Sequence, residues 1–238
     1  MKLTKKTWKG YNLLDLILIL IGFIGMTISG IIFNSPWYIF INTYLGLLYV
    51  FTQAKGKVST LFLGVVYFCF YICICFSQKY YGEGLLYLTI MLPLYIYGII
   101  QWLSHRDKKE NVVIIRKHIS KKEIIIASIC YVIVSIFVYI LLKALKTEEL
   151  IINTLSFISM LPAVYLLMRR SILNHIMFLV NDFIVPFLWI LLVIKGDYSF
   201  LPMCLYHVFQ ISYDIYGLIE WRILEKKQEN DPDLQENN

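Results

Sequence analysis

Long apolar runs, separated by short polar segments, make up most of this chain. The runs cover residues 13–33, 37–53, 60–77, 85–103, 123–143, 150–168, 172–194 and 200–221. At a helical rise of about 1.5 Å per residue, each run approaches the length that crosses the apolar layer of a bilayer. The pattern therefore predicts eight transmembrane helices. The second is the shortest and most polar, because Pro36, Asn42 and Gln53 lie in or beside it.

Composition agrees with a membrane location. Of the 238 residues, 59% are hydrophobic and 16% are charged, whereas a soluble domain has roughly 45–50% apolar and about 25% charged residues. The five cysteines all lie inside apolar runs, without the paired spacing of metal ligands, and are typical of small packing residues. We therefore expect no metal, no cofactor and no catalytic residue.

Positive charge lies mainly on one side of the predicted helices. The N-terminus, every second loop and the segment after residue 221 carry 18 of the 22 lysines and arginines. Basic loops stay in the cytoplasm during insertion, so the pattern predicts a multi-pass protein of the cell membrane with both termini cytoplasmic. The net charge of +6 then has an explanation that requires no nucleic acid.

One short sequence occurs twice. Residues 96–102 and 215–221 both read I-Y-G-x-I-x-W, and both end a predicted helix just before basic residues. Interfacial tryptophan and small glycine are also common in unrelated membrane helices. Their positions nevertheless favour two parallel triplets, spans two to four and six to eight, joined by span five. The predicted units are therefore an N-terminal segment with an extra helix, a first bundle, a basic loop with connector helix, a second bundle and a disordered acidic tail (residues 1–33, 37–103, 104–149, 150–222 and 223–238).

Several short stretches resemble the nicotinamide riboside (PnuC-type) vitamin transporters. They are residues 54–59, 79–83, Pro93, Tyr97-Gly98, Trp102, Arg169-Arg170, Asn174, Tyr216-Gly217 and Trp221. The resemblance implies an all-α integral membrane protein with a SWEET-like 3+1+3 helix core and one extra N-terminal transmembrane helix. It also implies facilitated diffusion of nicotinamide riboside or thiamine, trapping of the solute by a cytoplasmic kinase, and a homotrimer. The sequence has no GxxxxGK[ST] phosphate loop, so ATP hydrolysis is not expected.

The binding helix of that family reads W-x-x-W-x-x-x-N. The matching positions in this chain are His175, Phe178 and Asp182, and all three depart from the motif. Tyr67 stands where the middle helix of the first triplet carries asparagine in the family. The departures leave the identity of the solute open.

Two predicted helices carry polar stripes, because residues seven apart share one helical face. One stripe contains Asp182 and the other contains Asp214. An ionisable side chain inside a bilayer costs a few kcal/mol and is a candidate for function. A carboxylate beside aromatic rings favours a cationic ring such as pyridinium or thiazolium. The alternative is that these residues only pair across the bundle. The candidate substrate-binding residues are His175, Phe178, Asn181, Asp182, His207, Gln210, Asp214, Tyr67, Tyr95 and Gln101.

Two further acidic residues lie near the ends of spans. We expect Asp15 to be an interfacial group, and Glu220 to reach water or Arg222. For the whole chain we expect a transporter. The alternatives are a membrane-embedded enzyme, although HExxH and GxSxG motifs are absent, and a sensor that transports nothing.

Overall fold

The structure, a computed structural model, describes residues 13–116 and 118–231. Its α-helices are α1 (Leu13–Ile32), α2 (Trp37–Ala54), α3 (Ser59–Ser77), α4 (Tyr81–Leu86), α5 (Leu92–Ser104), α6 (Lys121–Ala144), α7 (Leu150–Met168), α8 (Asn174–Asp182), α9 (Pro186–Ile194) and α10 (Leu201–Glu229). A π-helical turn (Tyr87–Met91) and a 3-10 turn (Tyr198–Phe200) join helices, and β1 (Arg106–Asp107) pairs antiparallel with β2 (Val112–Val113). The described chain is thus helical apart from one small hairpin, as the sequence predicted.

Six helical segments are long and apolar enough to cross a membrane. They are Asp15–Ile32, Ser59–Ser77, Gly84–Ser104, Lys121–Ala144, Leu150–Met168 and Asn174–Ile194. The more polar α2 and α10 are not among them, although they coincide with the second and eighth predicted spans. Both pack against several helices: α2 contacts α1, α3 and α10, while α10 also contacts α8 and α9. Because neighbours cover them, their polar side chains are shielded from lipid.

Proline interrupts two of the predicted spans. Before Pro93 the helix widens into the π turn, and the N–H of Leu92 bonds to the carbonyl of Tyr87. Pro186 starts α9 after a break at residues 183–185, because its ring cannot follow a helical turn without a clash. Pro162 lies inside α7 without ending that helix. The break beside Pro186 leaves Asp182 as the last residue of α8.

The last helix is longer than predicted. The sequence placed a disordered tail from residue 223, but α10 continues to Glu229. Gln228 explains the extension, since its side chain accepts a hydrogen bond from Ile115 N and donates one to Val113 O, both at 2.9 Å. The backbone of Val113 and Ile115 thereby gains a hydrogen-bond partner in α10. The polar sequence of the tail does not by itself reveal this contact. Residues 1–12 and 232–238 lie outside the described residues, so the predictions for them stay predictions.

The connector helix α6 lies at the edge of the bundle. It contacts α7 and α4, and Val138 and Leu142 are its buried residues. Ser120 caps it by accepting a hydrogen bond from Glu123 N at 3.2 Å, in the S-x-x-E pattern that favours a helix start. Most of the apolar surface of α6 therefore faces outward.

Candidate functional site

A small cavity lies in the middle of the bundle. Its walls come from α2, α3, the π turn, α7, α8, the break before α9, and α10, through Tyr49, Tyr67, Phe68, Tyr71, Tyr87, Met160, Asn181, Val185, Tyr206, His207 and Gln210. All of these side chains are buried. The volume, about 20 Å³, is enough for one water molecule. In this conformation the cavity is closed and nearly filled by its own side chains.

Tyrosines form most of the wall on one side. The rings of Tyr49 and Tyr67 are stacked at 5.9 Å with an interplanar angle of 5°, and Tyr206 lies 5.8 Å from Tyr67. Gly46 makes this close approach possible, because a Cβ there would lie 2.6 Å from the Tyr206 ring. Stacked rings with their faces at a cavity can hold a flat cationic ring.

The two mid-span carboxylates lie near each other, outside the cavity wall. Asp214 Oδ1 is 2.8 Å from His175 Nδ1, and both residues are buried. Asp182 is fully buried, and neither of its oxygens has a hydrogen-bond partner in the described chain. The side chains of Asp214 and Gln210 face it, although no hydrogen bond of normal geometry joins either of them to Asp182. A buried carboxylate without a partner is energetically unfavourable, so Asp182 is the polar group here that most lacks a ligand.

His207 and Asn181 line the cavity and differ in their hydrogen bonds. Neither ring nitrogen of the buried His207 has a hydrogen-bond partner among the described residues. Asn181 is held in place, since its amide donates to Ser156 O and Ser159 Oγ, both at 2.8 Å. His207 therefore has capacity to bind a polar group, whereas Asn181 mainly joins α8 to α7.

Six predicted residues lie outside the cavity wall. They are His175, Asp182 and Asp214, described above, and Phe178, Tyr95 and Gln101. Phe178 is buried in the core. Tyr95 lies behind Tyr49, and their hydroxyl groups are 2.6 Å apart, so Tyr95 supports the wall from the second row. Gln101 is partly exposed and donates to Tyr97 OH at 2.9 Å, on a side of α5 that faces away from the cavity. The polarity of Gln101 made it a candidate for substrate binding. The rotation of α5 about its axis, however, places the side chain outside the cavity.

The predicted binding residues leave out several residues of the wall, of which Tyr49, Tyr71, Tyr87 and Tyr206 are the largest. Tyrosine occurs 18 times in the chain, so a single tyrosine is a weak signal. Glycine is a better signal, because the missing Cβ leaves room for a neighbouring ring. Gly46 faces Tyr206, and a Cβ at Gly64 would lie 2.5 Å from the Tyr95 ring.

The tryptophans of the repeated sequence, Trp102 and Trp221, make matching contacts at the end of the bundle where the basic loops lie, which we call the basic end. Trp221 Nε1 donates to Gln53 O at 2.8 Å, and Trp102 Nε1 donates to Leu167 O at 3.0 Å. Their rings are 5.9 Å apart, and His175 packs edge-on against Trp221. Helix C-termini leave carbonyls without partners inside the helix. Trp221 thus caps the end of α2, and Trp102 caps the end of α7.

A buried charge cluster lies at the same end. Lys55 Nζ is 2.9 Å from Asp15 Oδ2 and 3.3 Å from Glu220 Oε1, and it donates to Tyr216 OH at 2.5 Å. Asp15, expected at the interface, is instead fully buried. Glu220 pairs with Lys55 rather than Arg222, but its side chain is 23% exposed and so reaches water, as expected. The cluster joins α1 to α2 and α10, so it holds α1 on the bundle.

Comparisons with known proteins agree on one family. A family model described as nicotinamide mononucleotide transporter matches residues 36–223. The nicotinamide riboside transporter PnuC of Neisseria mucosa is 23% identical over 213 residues, which are 87% of this chain and 81% of that protein. The crystal structure of the vitamin B3 transporter PnuC superposes with a TM-score of 0.79 at 20% identity, covering 92% of this chain and 94% of the other. The matched residues include the cavity and both mid-span carboxylates.

Proposed function

This chain belongs to the nicotinamide mononucleotide transporter family, and from that premise we propose that it carries a small vitamin precursor with a cationic ring. Family membership confirms the resemblance inferred from the sequence, and it places the chain among membrane transporters rather than enzymes. Nicotinamide riboside is the first candidate solute, since a relative is named for it. Thiamine, which also has a cationic ring, is the second.

Asp182 is the observation that carries this proposal. Its buried carboxylate has no hydrogen-bond partner in the described chain, and stacked tyrosine rings line the cavity nearby. A pyridinium or thiazolium ring would bring the missing positive charge and a flat face for stacking. A neutral solute would leave the carboxylate uncompensated.

The closed cavity requires a conformational change during transport. A volume of about 20 Å³ cannot hold a nucleoside-sized solute, so the tyrosine wall has to open as the solute enters. We propose a SWEET-like 3+1+3 core, with eight spans and both termini cytoplasmic, in which the two triplets move against each other. The reciprocal tryptophan bonds support this arrangement. So do the left-handed turns at Gly56 and Arg170, which follow α2 and α7.

We further propose that the protein transports its solute by facilitated diffusion and that a cytoplasmic kinase phosphorylates and traps the solute. We also propose that the protein is a homotrimer. Proteoliposomes offer a direct test of the transport mode. Labelled solute should equilibrate across the membrane without a proton or sodium gradient, and co-trapped kinase with ATP should drive accumulation beyond equilibrium. Uptake that requires an ion gradient would exclude facilitated diffusion. A monomeric mass in mild detergent and in nanodiscs would exclude the homotrimer.

Binding titrations test the class of solute. Purified protein should bind nicotinamide riboside or thiamine in isothermal titration calorimetry. Riboflavin, a neutral vitamin, should not bind, because its ring offers no charge to the buried carboxylate. Absence of binding by both cationic vitamins would overturn the proposed solute class.

A further inference from the structure

We propose that the phosphate of an anionic phospholipid binds a cluster of three arginines, Arg116, Arg169 and Arg170, at the basic end of α6 and α7. Arg116 and Arg169 pair with a single carboxylate, that of Glu123, and Arg170 lies near both arginines. It lies apart from the central cavity and plays no part in the transport function proposed above. Geometry, charge and position each support a lipid as its ligand.

Glu123 is the only acid that the structure shows among these arginines in the described chain. Arg116 NH1 and NH2 donate to its two oxygens at 3.2 and 2.9 Å. Arg169 forms an ion pair with Glu123 Oε1, and Tyr165 OH donates to the same oxygen at 2.9 Å. Since this carboxylate already accepts from three side chains, it has little capacity left for further donors.

Positive charge therefore exceeds negative charge at this place. Arg170 is buried and donates to a neutral carbonyl, Ile114 O, at 3.1 Å. Burial, together with repulsion from Arg116 and Arg169, lowers the pKa of its guanidinium to about 10. In addition, Arg169 Nε is buried without an acceptor in the described chain. A bound phosphate would relieve the repulsion and offer acceptors to the guanidinium groups.

The surroundings of the cluster suit a lipid better than a soluble anion. It lies where two candidate membrane spans, Lys121–Ala144 and Leu150–Met168, end, which is the depth of phospholipid headgroups. Ile124 of α6 and Leu173 before α8 are about half exposed there, so acyl chains have apolar surface to cover. Basic pockets between helices at this level are favourable sites for anionic headgroups.

A purely structural role would need less charge. One arginine suffices to pair with one carboxylate and hold α6 to α7, and a surface pair of that kind contributes about 0–1 kcal/mol. Three guanidinium groups with one acid instead leave repulsion that only an external anion removes. The excess of arginine therefore points to a ligand.

Two substitutions with opposite expected effects test the site in the full-length protein. Arg169→Gln removes one cation, and affinity for phosphatidylglycerol should fall about fivefold, the weight of one basic side chain at an anionic surface. Glu123→Gln removes the internal competitor while keeping the shape and helix cap, so affinity should rise. Arg222→Gln, an exposed arginine at the same end, is the matched control and should bind like the unmodified protein.

The measurement is a titration of protein in neutral detergent with fluorescent phosphatidylglycerol, with thermal unfolding as a second readout. Phosphatidylcholine and inorganic phosphate are the comparison ligands. The proposal is supported if phosphatidylglycerol binds more strongly than phosphatidylcholine and inorganic phosphate, and if its affinity falls in Arg169→Gln and rises in Glu123→Gln. Equal binding of the two lipids, equal losses in Arg169→Gln and Arg222→Gln, or inorganic phosphate alone reproducing the effect would overturn it. Solute uptake measured in parallel keeps this outcome separate from that of the proposed function.

Discussion

Asp182→Asn is expected to have opposite effects on binding and on stability. The substitution keeps the size of the side chain and removes its negative charge. In the structure Asp182 is fully buried and accepts no hydrogen bond in the described chain. The empty protein therefore gains little from this carboxylate, whereas a bound cationic ring gains its main counter-charge.

The expected size of the binding effect follows from the electrostatics. Opposite unit charges about 4–5 Å apart attract by roughly 3–4 kcal/mol at an effective dielectric constant near 20. Loss of hydration on binding offsets part of this attraction. A net loss of about 2 kcal/mol corresponds to a roughly thirtyfold rise in Kd. Stability should change the other way, because an unpaired buried polar group costs about 1–3 kcal/mol.

Calorimetric titration with nicotinamide riboside and thermal unfolding of the empty protein measure the two effects. The dihydro form of nicotinamide riboside, whose ring is neutral, is the matched ligand control. Its affinity should be the same for the unmodified protein and the variant. An unchanged Kd for the cationic solute would refute the proposed role. A lowered Tm would show instead that the carboxylate holds the bundle together.

Three further substitutions test the packing around the site. Trp221→Phe removes one reciprocal cap and should destabilise by about 1–2 kcal/mol in thermal or denaturant unfolding, while the exposed Trp37→Phe should be neutral. Lys55→Met removes the cation that faces the buried Asp15 and should cost about 3 kcal/mol; a shift below 1 kcal/mol would mean that water already reaches the cluster. Gly217→Ala places a Cβ 2.3 Å from the His175 ring and should lower stability by about 1–3 kcal/mol, with weaker solute binding in the same titration. Gly25→Ala, with open space at the Cβ position, should be harmless.

Membrane location could be predicted from the sequence, because preference for lipid or water is a property of each segment by itself. Apolar length and the placement of basic residues require no knowledge of neighbours. The predicted spans accordingly coincide with helical segments, although the structure breaks the seventh before Pro186. The predicted end of α10 was wrong, since its last turns are polar and depend on Gln228 pairing with a hairpin residue 115 positions earlier in the chain.

The site could be predicted only in part. Periodicity placed His175 and Asp182 on one helical face and Asp214 on another, and the structure brings all three into one region. Their partners followed from the tertiary structure: His175 pairs with Asp214, 39 positions away, while Asp182 has no partner in the described chain.

Rotation and packing of whole helices decided the rest. Gln101 points away from the cavity, and Tyr49 and Tyr206 form its wall, although nothing in their local sequence distinguishes them from other polar or aromatic residues. Lys55 binds Asp15, a residue of the extra helix, because α1 packs against α10 and α2. A sequence pattern states which face of a helix is polar. Which side chains meet across helices depends on distances that arise only when the bundle assembles.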